Sequence, residues 1–377
     1  MKKKICFVVS DPSTAVAFLK DHIERLSELF DVYLVAYIKD VSAISDLKLT
    51  GYKNIQIERK PNIIADIKAL WKLYKYLKQE RFFVVQSQAS KPSLLMAIAA
   101  FFACIPHRVR IFTGQIWCNM TGLRRCVYKC IDKLTVLLNT DLLSDGYPQM
   151  SYLIEQNIVK SNKIKVLGNG SICGVDISRF NPDEKIRNEV RDKLEYSAEN
   201  IVYVFLGRLK KEKGIRELLS AFNNLVVDSP DARLLLLGPD EENCIEWLGM
   251  YPNISDGKRV CFYGYTPHPN KMLQAGDVYV LPSYREGFGL SVLEASCMKL
   301  PVICSDIYGM ADTFVEGVTG LKCKVRDDES LLECMRKLYF DDILRLSLGE
   351  AGRDRVKRDF SKQLVTDAWV EYYKSYV

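Results

Sequence analysis

The sequence is poor in the residue patterns that usually bind metals. Among 377 residues there are only three histidines, and the twelve cysteines include no Cys-x-x-Cys pair. The common sequence signatures of zinc sites are therefore excluded. No Asp-x-Asp sequence occurs either, so a familiar carboxylate pattern for divalent cations is missing. We expect a protein that needs no metal or other cofactor, and whose cysteines are free thiols in a reducing compartment.

Long apolar runs are also missing. The most apolar stretch, residues 94–105, spans about a dozen residues, whereas a membrane-spanning helix needs roughly 20. At the amino terminus, three lysines precede a short β-type run that stops at Asp11 and Pro12. This pattern predicts the first strand of a fold and not a secretory leader. We therefore expect a cytoplasmic protein without a spanning helix.

Positive charge is concentrated in the first part of the chain. The net charge is +6, but residues 1–165 hold 25 lysines and arginines against 14 aspartates and glutamates, and the remainder is acidic. A basic half predicts an anionic partner. Nucleic acid is disfavoured because no helix-turn-helix, zinc-finger or RNA-binding signature is present. An anionic membrane surface fits better, since residues 123–133 place basic and aromatic side chains at helical spacing.

The segment 123–133 nevertheless allows two interpretations. In the first, it is a peripheral membrane contact, with Phe101, Phe102 and Trp117 as additional apolar anchors. In the second, its apolar positions form an ordinary core face, made of Val127, Cys130, Ile131 and Leu134. The sequence leaves both open.

Strand-like runs alternate with helix-like segments in two arrays, which predicts an α/β protein with parallel sheets and right-handed crossovers. The strands expected in the first array are residues 5–9, 32–37, 54–58, 83–86, 108–112 and 137–138. Those expected in the second array are residues 201–206, 233–238, 260–264, 277–281 and 302–304. A stretch rich in Gly, Asn, Ser and Pro separates the arrays. We expect a first domain at 1–165, a linker at 166–185, a second domain at 186–358 and a terminal helix within 359–377.

The clearest amphipathic helix is predicted over residues 66–79. Apolar side chains recur there every three or four residues. The predicted apolar face consists of Ile67, Leu70, Leu73, Tyr74 and Leu77.

Glu286 and Glu294 bracket the most informative segment of the chain. A strand-like run stops at Pro282 and a helical pattern begins after Gly289, so Glu286 lies on a loop and Glu294 in the second turn of a helix. Gly287 lets the backbone approach a ligand, and the helix start offers unpaired N–H groups. This arrangement can hold a diphosphate between carboxylates that bind hydroxyl groups. A sugar nucleotide has this pattern, although solvated glutamates at this spacing are also common.

A second cluster follows the β-branched and aromatic run 201–206. Its loop, residues 207–214, carries four basic residues and leads into an amphipathic helix. Arg208 stands at the carboxyl end of the predicted strand, where open α/β sheets bind ligands. Arg208 can clamp phosphate oxygens and Lys213 can add a mobile charge. We expect Lys210 and Lys211 to be solvated.

These segments together resemble glycosyltransferase family 4, retaining enzymes of the GT-B fold. The resemblance is densest over residues 165–325, and five segments agree in order and spacing. They are Phe205-Leu206-Gly207-Arg208 with Lys213-Gly214, Leu236-Leu237-Gly238, Gly276-Asp277-Val278 with Leu281-Pro282-Ser283, the two glutamates, and Pro301-Val302-Ile303. The resemblance implies two Rossmann-like domains facing each other across a cleft, with the carboxyl-terminal helix packing back on the first domain.

The resemblance also implies roles for residues of the second domain. Arg208 and Lys213 would neutralise the diphosphate of a nucleotide-sugar donor, and Glu286 would contact the transferred sugar. These three form the expected catalytic set. Glu294 would bind the ribose hydroxyls. The remaining donor-binding residues would be Gly207, Gly287, Phe288, Gly289 and Leu290.

Acceptor-side candidates lie after strands of the first domain. They are Lys91 and the run Thr113-Gly114-Gln115. A solvated loop lysine is an equally good interpretation of Lys91. The loop Ser10–Thr14 lacks the glycines that many family members have after the first strand. We therefore expect this loop to shape the acceptor cleft and not to contact the donor phosphates.

Residues 112–117, 167–171 and 174–180 look like bacterial transferases of O-antigen or capsule assembly. The resemblance implies transfer of a hexosyl residue from a nucleotide sugar, with uridine as the expected base, to an undecaprenyl-diphosphate-linked glycan. The enzyme would work peripherally on the cytoplasmic face of the inner membrane. Three alternatives stay open: a small soluble acceptor, a nucleotide-sugar epimerase, and a non-catalytic GT-B protein.

Overall fold

The computed structural model describes residues 2–58 and 62–377. The chain divides into two compact units, Met1–Cys173 with Gln363–Val377, and Gly174–Lys362. The strands of the first unit are β1 (Lys3–Val8), β2 (Phe30–Ala36), β3 (Gly51–Asn54), β4 (Val84–Gln88), β5 (His107–Phe112), β6 (Asp141–Ser144) and β7 (Ile164–Val166). Those of the second unit are β8 (Ile201–Leu206), β9 (Ala232–Leu237), β10 (Val260–Gly264), β11 (Val278–Leu281), β12 (Val302–Ser305) and β13 (Gly320–Cys323).

Helices connect these strands in both units. In the first unit they are α1 (Pro12–Phe18), α2 (Lys20–Leu26), α3 (Ile63–Glu80), α4 (Ser90–Phe102), α5 (Gly122–Leu138) and α6 (Tyr147–Glu155). In the second unit they are α7 (Glu184–Lys193), α8 (Ile215–Leu225), α9 (Pro269–Met272), α10 (Leu290–Cys297), α11 (Asp328–Phe340) and α12 (Asp342–Asp359). The last helix is α13 (Lys362–Lys374), and short 3-10 turns complete the connections.

The first unit contains a parallel sheet in the order β3-β2-β1-β4-β5-β6-β7. Strand β1 is central, with Ile5 opposite Val32 on β2 and Val84 on β4. Two apolar layers cover the sheet, one with α1, α2 and α13 and one with α3 and α4. A parallel sheet must be covered on both faces, which explains why its strands are nearly continuous runs of apolar residues.

The second unit repeats the plan with six parallel strands in the order β10-β9-β8-β11-β12-β13. Strand β8 lies between β9 and β11, with Tyr203 opposite both Leu234 and Val278. The strand order reverses next to β8. In doubly wound sheets, ligands bind at the carboxyl ends of the strands near such a reversal.

The terminal helix α13 belongs to the first unit. Its side chains Trp369, Val370 and Tyr373 are buried in the same cluster as Ile5 and Phe7 of β1. The Trp369 ring stacks on His22 at 5.4 Å between centroids. Burial lowers the pKa of His22 to about 4, so this imidazole is neutral at pH 7.

Parallel α/β architecture with two sheets is confirmed, and several strand bounds differ from the prediction. The expected strand at 137–138 is wrong: these residues end α5, and the strand begins later, at Asp141. The expected strand at 54–58 lies earlier, at Gly51–Asn54. Strands β7 and β13 were not anticipated. The apolar residues Leu137 and Leu138 follow an amphipathic helix without a break, so periodicity gives no sign of where the helix stops.

Two helices of the first unit leave apolar side chains exposed. In α3, Leu73 and Leu77 are buried as predicted, but Ile67 is 61% exposed. In α5 the buried residues are the polar Asp132 and Thr135. The proposed core face of α5 is therefore wrong for Val127 and Leu134, which are exposed, and for Cys130, which is exposed as well.

Candidate active site

The carboxyl ends of β8 and β11 bring the two predicted clusters to the same edge of the second sheet. The two strands pair in parallel, with Tyr203 opposite Val278. Arg208 therefore follows β8 at the edge where Glu286 follows β11. Lys213 lies in the 3-10 turn Lys211–Lys213, immediately before α8. The residues of the predicted donor site thus converge although about seventy positions separate the two loops.

Lys213 and Glu286 form a direct ion pair. The Lys213 Nζ atom lies 2.5 Å from Glu286 Oε1, and both side chains are about 15% exposed. Ser283 Oγ donates to the same carboxylate oxygen at 2.7 Å. The Ser283 role was not anticipated, because a serine three residues before a glutamate has no distinctive sequence signal. The arrangement holds a cation and an anion at the strand ends while keeping both within reach of solvent.

Two glycines bring the loops into close contact. Gly214 has φ +74°, and a Cβ atom added there would lie 2.1 Å from the Pro282 carbonyl oxygen. Gly309 follows β12, and a Cβ atom added to it would lie 2.1 Å from the carbonyl oxygen of Glu286. Neither position accepts a side chain without moving the Glu286 loop or its flank. Gly309 was missed because a glycine outside any local motif gives no indication of such an approach.

Arg208 points toward a carboxylate that the sequence did not single out. Its side chain is 45% exposed, and its Nη1 atom lies 3.7 Å from Glu241 Oε2. Lys210 Nζ lies 2.6 Å from the same oxygen. The expectation that Lys210 is solvated is therefore wrong, whereas Lys211 is exposed. Glu241 lies on the turn after β9, which is the neighbour of β8, so only the sheet order brings it to this site.

Glu294 lies in the second turn of α10, the helix that starts after Gly289. Gly289 has φ +65° and precedes the first helical residue, Leu290. Burial of the Glu294 carboxyl group raises its pKa to about 7, and the Arg179 charge opposes the shift. The carboxyl group is therefore poorly solvated, and hydrogen-bond donors brought to it would favour its ionised form.

In the predicted donor-binding loop, the largest side chain, that of Phe288, is turned into the core. The Phe288 side chain is buried and packs edge-on against Phe360 at 5.7 Å between ring centroids. Gly287 and Leu290 are partly exposed on either side of it. Gly207 lies directly before Arg208 and its N–H donates to the Leu237 carbonyl at 2.9 Å. Phe288 therefore helps to fix the loop through its packing against Phe360.

The acceptor-side candidates all belong to the first unit. Lys91 lies in the first turn of α4, with its Nζ atom 2.6 Å from Asp66 Oδ1 of α3. The alternative of a solvated loop lysine is therefore wrong. Ala89, which precedes the helix, has φ +70° and ψ 147°, an unfavourable conformation for a residue with a side chain.

Thr113, Gly114 and Gln115 follow β5 at the same edge of the first sheet as Lys91, because β4 and β5 pair in parallel. Gly114 has φ +98°, which favours glycine. Gln115 is 1% exposed, so its side chain is part of the packed interior.

In the loop after β1, the Asp11 side chain accepts from Ser13 N at 2.9 Å and caps α1. That carboxylate therefore helps to order the loop Ser10–Thr14.

Trp117 cannot serve as the membrane anchor that the sequence suggested. It is 1% exposed, and its Nε1 atom donates to Asp132 Oδ2 at 2.6 Å. The other oxygen of Asp132 accepts from Arg110 Nη2 at 2.6 Å. The Arg110 guanidinium also lies over the Phe112 ring at 4.1 Å. This buried ion pair joins β5 to α5. The hydrogen bond from Trp117 adds the turn that follows Gln115.

No group of three or more His, Cys, Asp or Glu side chains suited to a metal ion occurs within residues 2–58 and 62–377. The carboxyl edge of the second sheet presents arginine, lysine and carboxylate side chains and backbone N–H groups. Such groups can bind an anionic diphosphate and the hydroxyl groups of a sugar.

Comparison with known proteins agrees with this chemistry. Residues 186–355 match the family described as glycosyl transferases group 1. The chain is 30% identical to the capsular polysaccharide biosynthesis glycosyltransferase CapM of Staphylococcus aureus, over 100% of this chain and 98% of that protein. It is 26% identical to the UDP-Gal:alpha-D-GlcNAc-diphosphoundecaprenol alpha-1,3-galactosyltransferase of Escherichia coli, over 89% and 86% of the two chains.

The fold has solved counterparts. The structure of Anabaena Alr3699/HepE in complex with UDP and glucose superposes with a TM-score of 0.81 at 16% identity, covering 99% of this chain and 100% of the other. The glycosyltransferase WaaG, involved in lipopolysaccharide biosynthesis, superposes with a TM-score of 0.75 at 14% identity, covering 97% and 98%. At such identities the likeness establishes the fold alone.

Proposed function

The chain belongs to the glycosyl transferases group 1 family and is a glycosyltransferase, and from that premise we propose that it moves a hexosyl residue from a UDP-sugar to an undecaprenyl-diphosphate-linked glycan. The acceptor class is suggested by the names of relatives, which include diphosphoundecaprenol transferases. The reaction would serve the assembly of a capsular or related surface polysaccharide. We propose retention of configuration, as in glycosyltransferase family 4.

The observation that carries the proposal is the Lys213–Glu286 pair at the carboxyl end of β11. When a glycosyl bond to a nucleoside diphosphate breaks, negative charge grows on the leaving diphosphate, and stabilising it is the main catalytic task. Lys213 can exchange its carboxylate partner for a phosphate oxygen. Arg208 can do the same because its contact with Glu241 is long and half-exposed.

Glu286 then becomes available to the transferred sugar. Once Lys213 turns to the diphosphate, the carboxylate still accepts the hydrogen bond from Ser283 Oγ, 2.7 Å away. A carboxylate in that position can accept hydrogen bonds from sugar hydroxyl groups and favour positive charge at the anomeric carbon. We propose that the bond from the anomeric carbon to the diphosphate breaks, that the acceptor hydroxyl attacks within one ion pair from the face the diphosphate leaves, and that its proton passes to the departing diphosphate. Attack from that face retains the configuration.

Donor recognition would continue at α10. The N–H groups at the start of this helix can hold phosphate oxygens. Glu294 would accept hydrogen bonds from the ribose hydroxyls, which would favour its ionised form. In the first unit, Lys91 and the loop Thr113–Gln115 would bind the acceptor, with Gln115 contributing its backbone because its side chain is buried.

We also propose that the first unit rests on an anionic membrane surface. None of the helices within residues 2–58 and 62–377 is long and apolar enough to cross a membrane. Helix α3 instead exposes Ile63, Ile64, Ile67 and Trp71 on its outer side, all more than half exposed. Its lysines at 68, 72, 75 and 78 are exposed beside that stripe. An apolar stripe flanked by lysines favours binding in the plane of an anionic interface, on the cytoplasmic face of the inner membrane.

The donor is tested by thermal unfolding with UDP-, GDP-, dTDP- and ADP-sugars. A donor at 100 times its Kd should stabilise the protein by about 2.7 kcal/mol. We expect stabilisation by the UDP-sugars, its loss in Arg208→Ala, and its retention in the control Lys211→Ala. Stabilisation by none of the four classes would contradict the proposed donor site.

The acceptor is tested by offering the active donor with an undecaprenyl-diphosphate sugar or with a free sugar of the same structure. Transfer to the lipid-linked sugar alone would support the proposal, and efficient transfer to the free sugar would support a small soluble acceptor. Binding to vesicles with and without anionic lipid tests the membrane contact. We expect the double variant Ile67→Gln/Trp71→Gln to weaken vesicle binding by about tenfold, because two apolar side chains no longer enter the interface.

A further inference from the structure

Tyr279 is a buried side chain of the second unit to which the proposed reaction gives no role. It lies in β11 and is fully buried, with Val204 of β8 opposite it. Paired residues of neighbouring strands share a face of the sheet, and adjacent residues of one strand lie on opposite faces. Tyr279 and Tyr203 of β8 therefore lie on opposite faces, since Tyr203 is opposite Val278. A buried tyrosine usually has a hydrogen-bond partner, and the partners of Tyr279 lie at the candidate site.

The hydroxyl of Tyr279 joins the two segments that would bind the donor diphosphate. It donates to Ser291 Oγ at 2.8 Å, and Ser291 is the second residue of α10. The same hydroxyl oxygen lies 3.3 Å from the carbonyl oxygen of Leu206, the last residue of β8. Gly207 and Arg208 follow directly. One side chain therefore connects the start of α10 to the loop that carries Arg208.

This connection lies beyond the paired part of the two strands. The register of β8 with β11 ends at the pair of Val204 with Tyr279, and Leu206 is two residues further along β8. On the other side, the residue before α10 is Gly289, which has no side chain to cap the first turn of the helix. The Tyr279 hydroxyl thus supplies a hydrogen bond where the strand register has ended and the helix has no capping side chain.

The Tyr279 hydroxyl keeps its proton near neutral pH. Burial raises the pKa of Tyr279 well above its ordinary value, and the charges of Glu286 and Glu294 add to the shift. Both carboxylates of the candidate site are thus near enough to affect this hydroxyl. A group that stays protonated does not exchange protons with a substrate, so its contribution is the hydrogen bonds that it makes.

We propose that Tyr279 is a positioning residue for the donor diphosphate. Its hydroxyl holds the first turn of α10 against the loop that carries Arg208, so that the helix N–H groups and the guanidinium group converge on the same phosphates. Tyr279 acts through Ser291 and Leu206 and does not itself contact the donor. The inference rests on the proposed function and deepens it, because it says how the binding site for a UDP-sugar is kept in shape.

The test compares ligands with and without the diphosphate. Calorimetric titration of the full chain gives the Kd of UDP, and competition with UDP gives the Kd of uridine. We expect Tyr279→Phe to weaken UDP binding by about fivefold, which corresponds to the loss of about one hydrogen bond. The Kd of uridine should stay unchanged, because uridine has no phosphate for the aligned groups to bind. General loosening of the second unit would instead weaken the binding of both ligands.

Tyr203→Phe is the matched control. Tyr203 is also fully buried, but its hydroxyl donates to the Met335 carbonyl of α11 at 2.7 Å, on the other face of the sheet. Removing that hydroxyl should leave the Kd of both ligands unchanged. Ser291→Ala should weaken UDP binding as Tyr279→Phe does. The double variant should lose no more than either single variant, because both changes break the same hydrogen bond.

Three results would overturn the positioning role while leaving the transferase site in place. They are an unchanged Kd of UDP in Tyr279→Phe, equal losses for UDP and uridine, and equal losses in Tyr279→Phe and Tyr203→Phe. Losses that add in the double variant would overturn the link through Ser291.

Sugar transfer is assayed on the same samples, so that failure of the proposed function can be told apart. No transfer by the unmodified protein, together with the expected UDP results, would contradict the proposed function and support the positioning role. Failure of UDP to bind the unmodified protein would overturn both.

Discussion

The two units use oppositely charged side chains in different ways. In the first unit, Arg110 and Asp132 form an ion pair in which both side chains are about 5% exposed. In the second unit, the Lys213–Glu286 pair is about 15% exposed, and Arg208 faces Glu241 with both side chains more than a third exposed. The first pair lies inside the scaffold. The pairs of the second unit lie at strand ends, where a ligand can reach them.

This difference distinguishes the charges of the scaffold from the charges for which we propose a function. A sealed ion pair has no access to new partners, and its main effect is to fix the elements that it joins. An accessible pair costs less to separate and can exchange a carboxylate for a phosphate. Ion pairing alone therefore does not identify a functional residue. The roles that we propose for Lys213 and Arg208 rest in addition on their exposure and on their position at the carboxyl edge of the sheet.

The largest effect, on the free energy of unfolding, is expected from breaking the buried Arg110–Asp132 ion pair. Asp132→Asn leaves Arg110 buried without its counter-ion and should lower the free energy of unfolding by about 3–5 kcal/mol. Urea unfolding followed by circular dichroism measures the change. The control Glu350→Gln removes one partner of the exposed pair with Lys299 and should cost less than about 1 kcal/mol. Equal losses in the two variants would remove the distinction between the units.

Removing the charge of Lys213 should affect activity more than stability. Lys213→Met should lower kcat/KM for sugar transfer by about 10²–10³, because the leaving diphosphate loses a positive partner. Steady-state kinetics with the sugar nucleotide that stabilises the protein in the thermal-unfolding test measures the effect. Lys211→Met alters an exposed lysine in the same turn and serves as the control. If both variants keep wild-type kcat/KM, Lys213 is another structural charge.

A smaller effect is expected from displacing the Glu286 loop. Gly309→Ala would place a methyl group 2.1 Å from the Glu286 carbonyl oxygen, so the loop has to move. We expect a loss of about 1–3 kcal/mol in stability together with a raised KM for the donor. Thermal unfolding and donor kinetics measure both. Gly249→Ala meets no atom within 4 Å and is the control. A normal donor KM in Gly309→Ala would show that loop position does not limit donor binding.

The smallest effect concerns pH. The Glu294 carboxyl binds its proton more tightly in the folded protein, with a pKa of about 7 against an ordinary 4.5. Ionising it therefore costs stability as pH rises between these values. A donor whose ribose hydroxyls need the carboxylate should bind about tenfold more weakly at pH 6 than at pH 8, because most of the carboxyl is protonated at pH 6. Calorimetric titration measures this Kd.

Glu294→Gln provides the matched control for the pH experiment. Its side chain has a similar shape and does not titrate, so donor affinity in this variant should hardly change between pH 6 and pH 8. A wild-type Kd that is equally flat would show that Glu294 does not bind the donor in its ionised form.

Much of the fold follows from local sequence patterns. The prediction for 201–206 and that for 260–264 agree with the bounds of β8 and β10. Glu286 lies on a loop and Glu294 in the second turn of α10, as the glycines and the apolar spacing indicate. These features depend on neighbouring residues, so a single sequence contains the necessary information. At Leu137 and Leu138 an apolar run follows the helical pattern without a break, so the local sequence does not show where the helix ends.

The sequence by itself determined the two α/β arrays and the residue types that follow each strand. Only the tertiary structure decided which of those residues meet. Lys213 and Glu286 are 73 positions apart, and Glu241 reaches Arg208 because β9 lies beside β8. The burial of Trp117 and the exposed apolar side of α5 have the same origin: helical spacing shows that a face is apolar, but the packing of neighbouring elements decides which face is covered.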